Sequence, residues 1–322
     1  MPILHWIWSI KALYSFSGSF DHTMCTTDIT ILTDSRYLAP RKGDSFIRNI
    51  LHEDGLVQSA LEKRGLKVQR TNWDNPEVDW SYTRYILFRS TWDYVDRYAE
   101  FSGWLEQVKN WTSMINPYQV IRWNLDKHYL EDLSKLGINI PPTRFLEKRE
   151  PGSLQEIVSE SGWKEIILKP VVSGGSRHTY RFIPEDVVRY ERIYRLLIRE
   201  ESLMIQEFQN QVPTRGEMAF MLFDGKFSHA ILKKPKRGDF RVQDDFGGSV
   251  HHYEPSSEEV SFAEQVVSTC KILPLYARVD AIWDNQDRLS ISELELIEPE
   301  LWFRFNPEAA DRLAEAFLRY SD

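Results

Sequence analysis

Ile166-Ile167-Leu168-Lys169-Pro170, followed by Ser173-Gly174-Gly175-Ser176, is the stretch on which the reading of this chain turns. An apolar run ending in lysine reads as a buried strand that carries one cation to the mouth of a glycine-serine loop. Paired glycines let main-chain N–H groups face an anion with no Cβ in the way. The Lys169 ammonium supplies a point charge for a phosphate. Strand, lysine and loop also occur together by chance, so the motif needs a counterpart elsewhere in the chain.

That counterpart is Ser292-Glu293-Leu294-Glu295-Leu296-Ile297-Glu298. Glu293 and Glu295 are two apart, so both point to one face of a strand. Adjacent carboxylates repel unless a cation sits between them. Asp280, on the preceding strand, completes an oxygen cage of the kind Mg²⁺ takes; the alternative is an exposed face of solvated acids. Glu298 falls on the other face or past the strand end, as a fallback ligand. Arg278 shares the face of Asp280 and either holds a phosphate or carboxylate or bridges to those acids. Lys127, early on a helix after Trp123-Asn124, opposes the helix dipole and hints at a nearby anion. Gln206-Glu207-Phe208 and Gly216-Glu217 form a hinge between strands, where backbone edges can read a base and a carboxylate can hold ribose. Lys233 to Arg241 is basic and leads to Gly247-Gly248, which reads as a mobile clamp over substrate or as a solvated loop.

The chain has 322 residues, 42% of them hydrophobic, with 40 basic and 48 acidic side chains. That is enough for two or three subdomains, and its mildly acidic balance gives no electrostatic case for nucleic acid. Cys25 and Cys270 cannot build a disulfide framework, which fits the cytoplasm. No apolar stretch reaches membrane-spanning length. Residues 1–23 read as an extension ahead of a start at Met24, without the charge order of a signal peptide. Strand–helix–strand alternation over residues 24–115 (strands at Ile29–Thr33, Leu66–Arg70 and Tyr85–Phe88) predicts a parallel α/β layer. Ligands of such sheets bind beyond the carboxyl ends of strands. Arg89-Ser90-Thr91-Trp92-Asp93-Tyr94 lies there: Arg89 and Asp93 suit the two ends of an amino acid, and Trp92 and Tyr94 a pocket wall, with Ser90 beside them. A structural aromatic corner is the plainer alternative. Helices are expected at Asp44–Arg64, Leu125–Leu136, Val187–Glu200, Ser261–Leu273 and Pro307–Tyr320. There is no P-loop, no nucleophile elbow and no paired-histidine zinc motif.

Taken in order, Asn124-Leu125-Asp126-Lys127, Leu168-Lys169-Pro170 with its loop, Gln206-Glu207-Phe208, Gly216-Glu217, Arg278-Val279-Asp280 and Glu293-Leu294-Glu295 resemble the ATP-grasp superfamily over residues 28–320. Arg89 to Tyr94, Trp123-Asn124 and Glu295 to Pro299 look most like the subgroup that forms D-cycloserine in antibiotic biosynthesis. The resemblance implies an α/β (α+β) fold in three parts: a pre-ATP-grasp domain over 24–115, a central subdomain over 116–205 and a C-terminal subdomain over 206–322. ATP would lie between the last two. It implies that Lys127, Lys169, Gly174, Gly175, Ser176, Glu207, Phe208 and Glu217 bind the nucleotide, and that Asp280, Glu293 and Glu295 hold Mg²⁺, with Mn²⁺ able to replace it. Arg241 and Arg278 would stabilise transition-state charge. Family members often end this strand Glu-x-Asn; Glu295 adds a negative charge. The implied activity is a carboxylate–amine ligase or cyclase working through an acyl phosphate on an amino-acid-like small molecule. A nucleotide-binding regulatory protein and a small-molecule kinase are the alternatives. The acids and both lysines favour catalysis. Neither nucleic acid nor membrane is expected as a partner, and a homodimer is admitted as the assembly.

Overall fold

The computed structural model describes residues 26–42, 44–236, 238, 239, 241 and 247–321. The expectations for residues 1–23, Met24 and Cys25 lie outside the described residues. Among the described residues there are three sheets. The first has β1 (Thr27–Thr33), β2 (Val68–Asn72), β3 (Thr83–Ser90) and β4 (Ser113–Ile115), all parallel, in the order β2-β1-β3-β4. The expected parallel layer is therefore present. Helix α1 (Ser45–Glu62) joins β1 to β2, and α2 (Tyr98–Val108) joins β3 to β4. Asp44 caps α1 by accepting from the Ile47 N–H at 3.0 Å. Gly65 ends that segment at φ 84°, where a side chain would be strained.

Two short helices follow, α3 (Tyr118–Asn124) and α4 (Tyr129–Lys135). A single helix over 125–136 was expected, and tertiary hydrogen bonds cut it short. The Asn124 amide donates to Leu294 O at 2.8 Å and accepts from Leu296 N at 2.7 Å, which pins the end of α3 to a distant strand. Asp126 then accepts from His128 N at 3.0 Å, and Lys127 N donates to Val171 O instead of continuing the helix.

The second sheet holds β5 (Thr143–Leu146), β6 (Ile166–Pro170), β7 (Tyr180–Phe182) and β8 (Leu203–Glu207) in antiparallel order β5-β8-β6-β7. Helices α5 (Leu154–Ser161) and α6 (Val187–Glu200) cover one face. Ile166 and Leu168 are fully buried in that core. Pleating therefore sends Ile167 and Lys169 to the opposite face.

After α7 (Val212–Arg215), the third sheet carries β9 (Glu217–Phe223), β10 (Lys226–Lys234), β11 (Ser249–Tyr253), β12 (Tyr276–Trp283) and β13 (Leu289–Glu295). Its order is β11-β10-β9-β12-β13, antiparallel throughout. Asp224 and Gly225, at φ 52° and 70°, make the expected hairpin turn. Helix α8 (Ser257–Ser268) starts four residues before the expected Ser261, because Ser256 and Glu259 form a capping box. Helix α9 (Ala309–Ser321) buries Leu313 and Phe317 against Val57 and Leu61 of α1, so one core joins the first layer to the third sheet. Among the described residues no helix is long and apolar enough to cross a membrane.

His229 on β10 is buried, with one ring nitrogen 3.0 Å from Leu301 O and the other 3.1 Å from Ser228 Oγ. Burial pushes its imidazole down to about 4 from 6.5. The unfolded chain thus takes up the proton first. Stability is full above pH 6.5 and falls as pH drops from about 6.5 toward 4. His229→Gln should flatten that part of the curve; denaturant midpoints at pH 7 and pH 5 that fall equally in both proteins would reject this.

Candidate active site

A cavity of about 560 Å³ opens where the three sheets meet. Strand β6 delivers Lys169 to one wall, and the loop after it brings Ser173, Gly174, Gly175 and Ser176. Gly175 and Ser176 have φ of 55° and 59°, so this loop turns through the left-handed region in two successive residues. The Lys169 ammonium has no hydrogen bond or ion pair among the described residues, while Lys127 donates to Ser173 O at 2.7 Å and meets Glu293 at 2.8 Å. Burial, reinforced by Lys127, pushes Lys169 down to about 8.

The opposite wall is one face of the third sheet. Register sets Glu217 on β9 against Lys233 on β10, Arg278 on β12 against Glu295 on β13, and Asp280 against Glu293. Lys233 bridges Glu217 at 2.6 Å and Asp280 at 2.8 Å. Arg278 grips both oxygens of Asp280 at 3.0 and 2.9 Å and pairs with Glu295. Burial alone would lower Lys233, yet Asp280 and Glu217 outweigh it and raise the ammonium. Burial likewise acts to raise Glu293, but Lys127 and Lys169 prevail and hold it at about 2. Burial pushes Glu295 up to about 8 against the pull of Arg278. Asp280, Glu293 and Glu295 each offer an oxygen within 4.8 Å of the others, a donor set that suits a hard divalent cation.

Glu207 and Phe208 close the hinge end of the cavity. Their N–H groups already donate to Pro142 O and Glu165 O, each at 2.9 Å, so those two donors are not left for a base. The Phe208 ring is covered by the Arg181 guanidinium at 3.7 Å. Arg241 also lines the cavity and pairs with Asp239 at 2.7 Å. The expected clamp, Lys233 to Arg241 with Gly247-Gly248, falls partly on residues outside the described ones.

The hexapeptide after β3 divides. Trp92 and Tyr94 line the cavity as expected; Arg89, Ser90 and Asp93 do not. Arg89 turns into the core beside Glu53 (3.7 Å) and Asp54 (3.4 Å) of α1 and donates to Pro299 O at 3.1 Å. The Ser90 hydroxyl bonds Thr33 at 2.7 Å. Asp93 accepts from the Trp73 indole at 2.9 Å and pairs with Arg97 at 3.0 Å. All three hold the layer together instead of facing a ligand.

Sequence reading placed Lys233 only at the head of the basic clamp, yet it carries as many acidic partners as Arg278. Its place was not readable from the turn: the Asp224-Gly225 register alone sets Leu232 opposite Glu217, and a β-bulge between Phe227 and His229 shifts the pairing by one to bring Lys233 there. Gly216, read only as part of the hinge, has φ 84°, and a Cβ there would lie 2.5 Å from Lys233 O. Gly216→Ala should destabilise by at least about 1–3 kcal/mol from backbone strain alone and disturb the Glu217–Lys233 pair. A denaturant midpoint equal to that of the wild type would reject this.

Residues 29–116 match the family model described as D-cycloserine synthetase DcsG, N-terminal domain, and residues 133–282 match that of the prokaryotic glutathione synthetase, ATP-grasp domain. The cycloserine biosynthesis protein DcsG of Streptomyces lavendulae is 30% identical over 280 residues, covering 80% of this chain and 90% of that protein. The crystal structure of D-cycloserine synthetase DcsG matches with a TM-score of 0.78 and 26% identity, over 91% of this chain and 99% of that one. The ATP-grasp ligase PsnB, in a structure with a phosphomimetic variant of its minimal precursor, Mg and ADP, matches with a TM-score of 0.62 and 14% identity, over 92% and 99%.

Proposed function

The chain belongs to the ATP-grasp ligases that carry an N-terminal domain of the D-cycloserine synthetase type, and from that premise we propose how this site works and on what. It is an ATP-dependent ligase; the substrate and the residue roles are our reading. One carboxylate oxygen of an amino-acid-like substrate attacks the γ-phosphorus of ATP and ADP leaves. A nitrogen of the same substrate then attacks the acyl carbon. The acyl C–O bond breaks, phosphate departs with the electron pair, and the nitrogen loses a proton to give the amide. For a D-cycloserine-type product this is ring closure. Opening that ring at its amide gives O-amino-D-serine, which carries both reacting groups.

The observation that carries this reading is the unpaired Lys169 ammonium across the cavity from a wall of acids. A triphosphate fits between them, its charge met by Lys169 and Lys127, with the loop at 173–176 covering it. Phosphoryl transfer asks for positioned charge more than for covalent help. Arg278 is already oriented by Asp280 and suits charge developing on the transferred group. Arg241, which also lines the cavity, is assigned the same role. Asp280, Glu293 and Glu295 fit Mg²⁺, or Mn²⁺ in its place, which when bound offsets phosphate charge; Mg in a related ligase supports this choice. Glu207 at the hinge and Glu217 beside Lys233 are our candidates for adenosine contacts. A cytoplasmic enzyme, where ATP is supplied, belongs to the same reading.

The test is ADP release by the purified chain with Mg²⁺ and a panel of amino-acid probes that includes O-amino-D-serine, with products read by mass spectrometry. The expected result is loss of water between substrate and product. A stably phosphorylated product would make the enzyme a kinase and overturn the reading.

A further inference from the structure

Among the described acids that line the cavity, only Glu207 and Glu298 lack a lysine or arginine within ion-pair distance. Glu207 belongs to the hinge. Glu298 sits at the other end, where the first layer meets the end of β13. The Trp92 indole donates to its main-chain carbonyl at 3.0 Å, which fixes the backbone there. Tyr94 lies beside its carboxyl group. Its Oε2 is shut off from water and has no hydrogen-bond partner among the described residues. Folded proteins rarely leave such an oxygen unmet, because desolvation without a donor is costly. Around it the cavity is aromatic: Trp92 packs against Tyr37 and Phe46 at 5.8 and 5.9 Å between ring centres.

A lone carboxylate among aromatic faces is the chemistry that recognises an ammonium group. Position agrees with this. Glu298 lies three residues past Glu295, a reach of roughly 10 Å at most. In an α-amino acid the ammonium stands one carbon from the carboxylate to be phosphorylated, so an anchor for it must lie close to the acid cluster. Asp93, the other acid of this corner, is turned away to Trp73 and Arg97.

The structure assigns to Glu298, with Tyr94 beside it, the binding of the substrate's α-ammonium group, and so a free α-amino acid as the substrate class. This rests on the ligase reading above. The test compares O-amino-D-serine with 3-aminooxypropanoate, which keeps the carboxylate and the attacking nitrogen but lacks the α-amine. The wild type should prefer the amino acid in kcat/KM by about 10- to 100-fold, the range of a charge-assisted hydrogen bond. Glu298→Gln, of the same shape, should bring that ratio near one, mainly through KM for the amino acid, and Tyr94→Phe should lower it in part. Thermal midpoints check that both variants fold. An unchanged ratio in Glu298→Gln, or equal losses on both probes, overturns the assignment while leaving the ligase reading intact. A wild type that releases ADP with neither probe, nor with any other amine-bearing carboxylate, overturns the ligase reading and this subsite with it.

Discussion

Lys169→Ala should lower ADP release by about 10²–10³-fold, the range measured when one preoriented charge is removed from a transition state, and the protein should stay folded. The two halves of this expectation have a common cause. Among the described residues Lys169 is a cation without a partner, disfavoured by burial and by Lys127. Its folded pKa of about 8 lies below the ordinary 10.5, so the charged form opposes folding, and stability rises as pH climbs from about 8 to 10.5. Removing the charge relieves that strain. Lys169→Met, which keeps the apolar stem, should therefore melt no lower than the wild type at pH 7. A bound triphosphate reverses the balance by supplying the missing anion. ATP affinity should accordingly weaken as pH rises above about 8 in the wild type, and Lys169→Arg, which cannot lose its proton in this range, should hold its affinity to higher pH. Near-normal turnover in Lys169→Ala, or a fall in melting temperature of several degrees in Lys169→Met, would reject this account.

The same residue shows what a sequence can and cannot reveal. An apolar run ending in lysine and an acid at every second position are local patterns. Pleating alone carries them to the right faces of β6 and β13. The hairpin at Asp224-Gly225 was equally local, and so was the parallel layer, because helices of ordinary length follow its first and third strands. Short strands at Ser113–Ile115, Thr143–Leu146 and Ser249–Tyr253 were missed, since three to five residues give too little periodicity to read. The helix expected over 125–136 failed for a different reason. Its break is imposed by Leu294 and Leu296, some 170 residues away, acting through Asn124. The inward turn of Arg89 likewise depends on Glu53 and Asp54, two acids buried on α1 with side-chain exposures of 3% and 2%. Acids on a helix otherwise read as amphipathic gave no sign that they would meet an arginine from β3. Tertiary partners decided which of Arg89 to Tyr94 face the cavity, and the same holds for Glu298, whose interest lies in having no lysine or arginine within ion-pair distance among the described residues.

Glu293→Gln should reduce ADP release by at least about 10²-fold, yet its effect on folding should be opposite in sign to that of Lys169→Met. Glu293 is the one acid that Lys127 holds directly, at 2.8 Å, and it also offsets Lys169 across the cavity. Neutralising it leaves two cations facing each other over an amide. A fully buried pair loses about 3–5 kcal/mol when one partner goes. The Glu293 side chain is 32% exposed, so solvent screening brings the expectation down to about 1–2 kcal/mol. That contribution is present above pH 4.5, where the unfolded carboxyl ionises, and is lost as pH falls from there toward about 2. The variant should therefore melt lower than the wild type at pH 7 and converge with it at acid pH. Binding of the divalent ion gives a readout independent of turnover. Mn²⁺ titrated in the presence of ADP and followed by electron paramagnetic resonance should bind more weakly to Glu293→Gln, because one oxygen of the three within 4.8 Å has lost its charge. Unaltered Mn²⁺ affinity together with lost activity would take Glu293 out of the metal site and leave it as the partner that positions Lys127. Unaltered activity would remove the third sheet's acids from the chemistry altogether.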